Sequence, residues 1–228
     1  MLLLHIETST TVCSVALSEN GQCIFSKIND EGMNHAALLS VFIAEALETL
    51  KPTGKKLDAV AVSSGPGSYT GLRIGVSTVK GLCYGYEIPM IAISTLEVMT
   101  VAAMKVVGNA EGALFCPMID ARRMEVYAAF YNSELNLVRE IAADIIDETS
   151  YQHILNEQPV YFFGNGADKC KTALSHSNAC FLENITPLAE NMIALAEKAY
   201  VQQQFVDVAY YEPFYLKEFQ TTTPKKQI

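Results

Sequence analysis

The chain has 228 residues, half of them hydrophobic and 18% charged, so it can bury one large core or two smaller ones. A net charge of −9 argues against a protein that binds nucleic acid tightly by itself, because phosphate binding requires clustered cations. The N-terminus lacks the basic segment and long apolar run of a signal peptide, and no apolar run reaches membrane length. We therefore expect a cytoplasmic protein without a membrane association.

The first fifty residues predict three strands followed by a helix. Residues 2–7, in which four of the six residues are aliphatic, are typical of a buried strand, and residues 12–17 are predicted to form a second strand. Asn20-Gly21 is a strong hairpin signal and leads into a third strand over residues 22–28. An apolar stripe with helical spacing then predicts a helix over residues 33–50.

The next stretch, AVAVSSGPGSYTGLRIGVSTVKGLCYGY, predicts a buried strand, a glycine-rich loop and a helix over residues 72–86. Ser68 or Thr70 can cap the start of that helix. Such a loop can bind phosphate through backbone N–H groups, but a sharp strand-to-helix turn explains it equally well. The spacing is not that of a dinucleotide-binding loop, and no Gly-Lys-Ser/Thr follows it.

Glycines inside this helix demand a separate explanation. Gly75, Gly81 and Gly85 each cost roughly 0.8–1 kcal/mol relative to alanine. Close approach of another backbone is the usual compensation. The neighbour is either the chain's own sheet or a helix of another protein.

The second half repeats the order of the first. A strand over residues 89–93 and a helix to residue 107 complete the first half, and a boundary is predicted within residues 108–112. After it, strands are predicted at residues 113–119, 125–131, 137–143, 160–163 and near Cys180, and helices at 147–155, 167–174 and 187–203. The repetition predicts two related α/β domains, residues 1–107 and 108–228.

The segment GPGSYTGLRIGVSTVKGLCYGYEIPMIAISTLE closely resembles the signature of the TsaB/YeaZ family, bacterial subunits of the tRNA threonylcarbamoyladenosine machinery. Further similar segments are IETSTTVCSVAL, DARRMEVY, GNGA and EPFYLK, so the resemblance covers nearly the whole chain. It implies a duplicated fold of the actin/hexokinase/Hsp70 type (ASKHA, ribonuclease H-like), in which two related α/β domains face a nucleotide cleft.

The resemblance also implies a function. It describes a non-catalytic scaffold and dimerisation subunit of the complex that forms N6-threonylcarbamoyladenosine in tRNAs. This subunit would pair with the catalytic TsaD subunit, an ATPase called TsaE would join them, and tRNA would be reached only through the complex. The complex would use ATP and Mg²⁺, whereas this subunit alone would bind no cofactor stably and would form a homodimer.

In a fold of that type, hairpin turns and a glycine loop contact the nucleotide. The corresponding residues here are Glu7, Thr8, Ser9, Asp120, Gly164 and Gly166. Glu7 stands where the family usually has Asp, and its turn lacks the glycine that gives phosphate access to the backbone. If Glu7 and Asp120 hold Mg²⁺, the alternative function is a small-molecule kinase that uses Mg-ATP. Otherwise the cleft is vestigial and both carboxylates only cap turns.

No catalytic or metal-binding residue is predicted. The four histidines lack the H-x-x-x-H spacing that the catalytic relatives of the TsaB family carry, and that places two imidazoles on one helical face. No G-x-S-x-G nucleophile motif surrounds Ser64 or Ser68.

In the family, the helices matching residues 33–50 and 71–86 form the subunit interface, although either helix could simply belong to the core. The matching positions are His35, Leu39, Phe42, Arg73, Gly75 and Lys80. A Gly75→Leu substitution is therefore predicted to block pairing with TsaD while the fold persists. If Gly75 instead faces the chain's own sheet, the substitution will destabilise the fold.

Overall fold

A computed structural model describes residues 1–32, 34–108 and 110–217. The predicted helix start at Met33 and the polar tail after residue 217 lie outside the described residues. In the first half the elements are β1 (Leu2–Glu7), β2 (Cys13–Glu19), β3 (Gln22–Asn29), α1 (His35–Glu48), β4 (Ala59–Gly65), α2 (Tyr69–Tyr86), β5 (Met90–Ser94) and α3 (Thr95–Val107). In the second half they are β6 (Leu114–Asp120), β7 (Glu125–Tyr131), β8 (Leu137–Ile145), α4 (Gln152–Leu155), β9 (Val160–Phe163), β10 (Ala179–Leu182) and α5 (Ile193–Val201).

The strands form two five-stranded sheets with the same topology. The first has the order β3-β2-β1-β4-β5, and the second, read in the same direction, has the order β8-β7-β6-β9-β10. In each sheet the first three strands are antiparallel, and the last two run parallel to the central strand. Every strand of the first sheet has a counterpart in the second, which confirms the predicted duplication.

Helix α3 packs between the two sheets and joins them. Leu96, Met99 and Ala103 belong to a buried cluster with Phe115 of the second sheet. Val98, on another side of the helix, packs with residues of β4 and β5 of the first sheet. A helix that is apolar on both sides is expected between two layers.

The chain returns to the first sheet at its C-terminal end. Residues of α5, including Leu195, Ala196 and Ala199, are buried in one cluster with Leu3 and Ala59. The proposed boundary between residues 107 and 108 falls between the two sheets, but parts of residues 108–228 pack on the first sheet. The division into two domains at that point stays a prediction.

Residues 206–217, which we call the C-terminal strap, follow α5 and run along α2. Val206 forms a β-bridge with Met90. Lys80 Nζ donates hydrogen bonds to the carbonyl oxygens of Ala209 and Tyr211, both at 2.9 Å.

Within the described residues, no helix is long and apolar enough to cross a bilayer.

The helices of the second half are shorter than predicted. The helix expected over residues 147–155 is reduced to α4, because Asp147 Oδ1 accepts hydrogen bonds from the backbone N–H and the hydroxyl of Thr149. Such local side-chain bonds offer the backbone an alternative to helix. The helix expected over residues 167–174 is only a 3₁₀ turn at Asp168–Cys170.

Candidate functional site

The glycines that open α2 pack against the turn between β1 and β2. A Cβ atom on Gly71 would overlap the carbonyl oxygen of Thr8, and one on Gly75 would overlap Thr8 Oγ1. That hydroxyl donates a hydrogen bond to Gly71 O at 2.8 Å. The backbone N–H of Ser68 donates to Ser9 O at 2.6 Å. The glycine loop therefore covers the first hairpin turn of the chain.

This cover buries the residues predicted to contact nucleotide in the first domain. Glu7 and Thr8 are fully buried and Ser9 is 1% exposed. One carboxylate oxygen of Glu7 accepts a hydrogen bond from Ser9 N at 2.6 Å, and the other has no partner. Burial raises the pKa of Glu7, which favours the neutral acid. The prediction of these three residues as nucleotide contacts does not fit their burial.

His5, next along β1, is also sealed inside the domain. Its Nε2 lies 2.8 Å from Ser18 Oγ, and Nδ1 has no hydrogen-bond partner. Burial lowers the pKa of His5 to about 3, so the imidazole is neutral at physiological pH.

The predicted residues of the second domain lie together at the end of β6. Asp120 is exposed and forms a salt bridge with Lys169, and it accepts a hydrogen bond from Arg122 N at 3.0 Å. A Cβ atom on Gly164 would lie 2.5 Å from Met118 O, and one on Gly166 would lie 2.9 Å from the carbonyl carbon of Ile119. Both glycines thus permit close packing against β6.

Glu7 and Asp120 therefore occupy different environments, one buried and one paired with a lysine. Within the described ranges, no group of three or more His, Cys, Asp or Glu residues is placed to hold a metal ion. These contacts do not favour the kinase alternative.

Most of the predicted interface residues face the chain's own core. His35 is buried and its Nε2 lies 2.9 Å from Thr10 O. Leu39 and Phe42 belong to the core cluster beneath α1, and Gly75 packs on Thr8. These four residues pack inside the domain, and their contact with a partner subunit stays a prediction. That prediction followed the apolar stripe of each helix, which is the face that a helix buries against its own sheet.

The two remaining predicted residues lie closer to the surface. Arg73 is exposed, and its Nη1 donates a hydrogen bond to Tyr69 Oη at 2.8 Å. Lys80 is half-buried, because its ammonium group holds the C-terminal strap.

The exposed side of α1 and α2 forms one surface, which we call the helical face, because both helices pack on the same side of the first sheet. Its residues are Ala37, Val41 and Ala44 of α1, and Arg73, Ser77, Gly81, Tyr84 and Gly85 of α2. Tyr84 is 83% exposed and Val41 is 46% exposed.

Gly81 and Gly85 distinguish this face from the buried one. A Cβ atom on either glycine would meet no atom within 4 Å. Gly81 and Gly85 were therefore the residues in the sequence that pointed to the helical face. Recognising this required knowing that the chain's own turn accounts for Gly71 and Gly75 but not for Gly81 or Gly85.

The duplicated topology defines the class of protein: two α/β domains of the ASKHA type. A family model described as "TsaD: tRNA N6-adenosine threonylcarbamoyltransferase" matches residues 30–223. The crystal structure titled "YeaZ from Pseudomonas aeruginosa" is 28% identical, with a TM-score of 0.78 over 94% of this chain and 99% of that one.

Curated sequences identify the family within that class. The chain is 30% identical to the Haemophilus influenzae "tRNA threonylcarbamoyladenosine biosynthesis protein TsaB" over 95% of this chain and 94% of that protein. It is 29% identical to the Escherichia coli protein of the same name, over 95% of each chain. The Bacillus subtilis protein is 32% identical over 72% of this chain. The chain belongs to the TsaB/YeaZ family.

Proposed function

We propose that this protein is a non-catalytic subunit of the complex that forms N6-threonylcarbamoyladenosine in tRNA. It would act in the cytoplasm and pair with a TsaD-type catalytic subunit through the helical face. A TsaE-type ATPase would join the pair, and tRNA would be reached only within the complex. The observation that supports this pairing is that Gly81 and Gly85 of α2 pack against no other part of the described chain.

Gly81 costs α2 about 0.8–1 kcal/mol relative to alanine, and Gly85, next to the last residue of the helix, adds a smaller cost. No atom of the described chain uses the space that their missing side chains leave open. A second helix can approach closely there, and the small residues Ala37, Ala44 and Ser77 extend the same low surface. Tyr84 and Val41 are exposed at its border, where they can anchor a partner by burying apolar area.

A scaffold role agrees with the environments of the candidate catalytic groups. Glu7 is sealed beneath the glycine loop and Asp120 is paired with Lys169, so neither is placed as an open metal ligand. We propose that ATP and Mg²⁺ are used by the assembled complex and that this subunit alone holds neither stably.

Without its partner, the chain should use the same surface for self-association. An uncovered face with apolar and small residues favours pairing, and a two-fold dimer is the simplest closed arrangement. We therefore propose a homodimer for the isolated protein, which the catalytic subunit would displace.

The pairing is tested by placing a charge on the helical face. Ala44→Arg puts a guanidinium where a partner helix would lie, and burying it without a counter-charge is costly. The matched control is Ala194→Arg, because Ala194 is an exposed alanine on α5, away from the helical face. Affinity for the TsaD-type subunit should fall at least about 10-fold for Ala44→Arg, a loss of about 1.4 kcal/mol.

The control should bind as the unchanged protein does, and both variants should melt close to it. Normal binding by Ala44→Arg would contradict the assignment of the helical face. Equal loss of binding in both variants would also contradict it, because the effect would not be specific to that face.

A further inference from the structure

The turn between β6 and β7 carries two of the four arginines of the chain, Arg122 and Arg123. Both residues are exposed. Within the described residues, neither guanidinium forms a hydrogen bond, an ion pair or a ring contact. The other two arginines differ, because Arg139 is paired with Asp144 and Arg73 contacts Tyr69.

The nearest carboxylates on the same hairpin are already neutralised. Asp120, just before the turn, forms a salt bridge with Lys169. Glu125, just after it, forms one with Lys217 of the C-terminal strap. The two guanidinium charges of the turn are therefore not compensated by the hairpin itself.

Other acids lie beyond the hairpin. Asp147 and Glu148 border a surface groove of about 570 Å³ that also contacts Met124 and Lys169. Asp147 accepts hydrogen bonds from the N–H of Thr149 and the hydroxyl of Ser150, which hold the carboxylate in place without removing its charge. The positive charge at the tip of the turn therefore comes from the two unpaired guanidinium groups themselves, in a chain whose net charge is −9.

The backbone of the turn does not favour arginine. Arg122 and Arg123 have φ values of 73° and 49°, in the left-handed region where glycine and asparagine are preferred. The same chain places Asn20 and Gly21 at the β2–β3 turn, where φ is 47° and 77°. Arginine at both positions of the β6–β7 turn therefore points to a use for the side chains.

We propose that the Arg122–Arg123 turn contacts the phosphate backbone of the tRNA while it is bound to the complex. This inference rests on the proposed function. The planar fork of a guanidinium matches two phosphate oxygens, and its charge does not titrate. Two such contacts contribute a minor part of the affinity of the complex for tRNA. This agrees with the acidic charge of the chain, which requires another subunit to hold the RNA.

The test uses the assembled complex and the double variant Arg122→Asn/Arg123→Asn. Asparagine tolerates positive φ, so the turn is kept while both charges are removed. The control is Lys56→Asn, which removes an exposed charge from the segment just before β4, in the first sheet, whereas the arginine turn belongs to the second. The measurement is tRNA affinity across a series of salt concentrations.

For the double variant, the slope of log affinity against log salt should become shallower by roughly 1.4–1.8, which corresponds to two lost phosphate contacts. Affinity at 0.1 M salt should fall at least about 10-fold, and by the same factor for tRNAs of different sequence. Lys56→Asn should leave both quantities unchanged.

An unchanged salt slope in a complex that assembles and modifies tRNA would overturn this inference alone. A lower affinity for ATP with unchanged tRNA binding would also overturn it, because the phosphates would then belong to a nucleotide. Failure of the unchanged chain to assemble with the catalytic subunit would instead refute the proposed function.

Discussion

Alanine substitutions at the glycines of α2 should separate into two classes. Gly75→Ala places a methyl group on Thr8 Oγ1, whereas Gly81→Ala places one in open space. Both changes improve helix propensity by about 0.8–1 kcal/mol. The contacts on each side of the helix therefore decide the sign of the effect on the free energy of unfolding.

For Gly75→Ala the contact outweighs the propensity. Overpacking costs about 1–3 kcal/mol. The Thr8 hydroxyl must also leave Gly71 O, and a buried hydroxyl without a partner costs about 1–3 kcal/mol more. After subtracting the helix gain, we expect a net destabilisation of about 1–5 kcal/mol, which lowers the melting temperature by roughly 2–20 °C for a chain of this size. Gly71→Ala should be worse, because it meets a main-chain oxygen that cannot rotate away.

Gly81→Ala should instead raise the melting temperature of the isolated protein by roughly 2–4 °C. Thermal unfolding followed by circular dichroism gives both values, at a concentration at which sedimentation detects monomers. A Gly75→Ala variant that melts at or above the unchanged protein would refute the packing of α2 on the Thr8 turn. A lower melting temperature for Gly81→Ala would refute the open space beside that glycine.

Three further predictions concern the isolated protein. Because burial lowers the pKa of His5 from 6.5 to about 3, the unfolded chain binds a proton that the folded chain does not, so stability is lost as pH falls from 6.5 towards 3. The loss of unfolding free energy at pH 5 is about 2 kcal/mol. Urea titrations at pH 7 and pH 5 should show that His5→Gln loses correspondingly less stability than the unchanged protein. The control His153→Gln, at an exposed histidine, should lose as much as the unchanged protein. In sedimentation at tens of micromolar the protein should be a dimer that the catalytic subunit displaces; a monomer, or a dimer that persists with that subunit, would count against the shared face. Anisotropy at physiological salt should give tRNA binding weaker than micromolar for the chain alone, and submicromolar binding would be inconsistent with its charge.

The strands of the first half could be predicted from the sequence because the central ones are short segments rich in aliphatic residues. Residues 2–7 were predicted as a strand and β1 has those bounds. Turn chemistry was equally informative, since Asn20 and Gly21 both have positive φ. The helices of the second half were not predictable in length, because Asp147, Thr149 and Ser150 satisfy backbone groups in a way that spacing does not reveal.

The site residues were harder to predict for a different physical reason. An apolar stripe indicates that a helix face is buried, but it does not say whether the cover is the chain's own sheet or another protein. Leu39 and Phe42 are covered by the chain's own sheet. Burial of Glu7 was equally hidden, because it depends on a loop some sixty residues later in the chain that packs over its turn.

The proposed function is tested most directly by measuring N6-threonylcarbamoyladenosine formed in tRNA by purified components. The reactions contain tRNA, the threonylcarbamoyl donor, the TsaE-type ATPase with Mg-ATP, and either this chain, the TsaD-type subunit, or both. We expect product when both subunits are present, none from this chain without the TsaD-type subunit, and a large decrease when Ala44→Arg replaces the unchanged chain. Product formed by this chain without the TsaD-type subunit would contradict a non-catalytic role, and full activity without this chain would contradict its role in the complex.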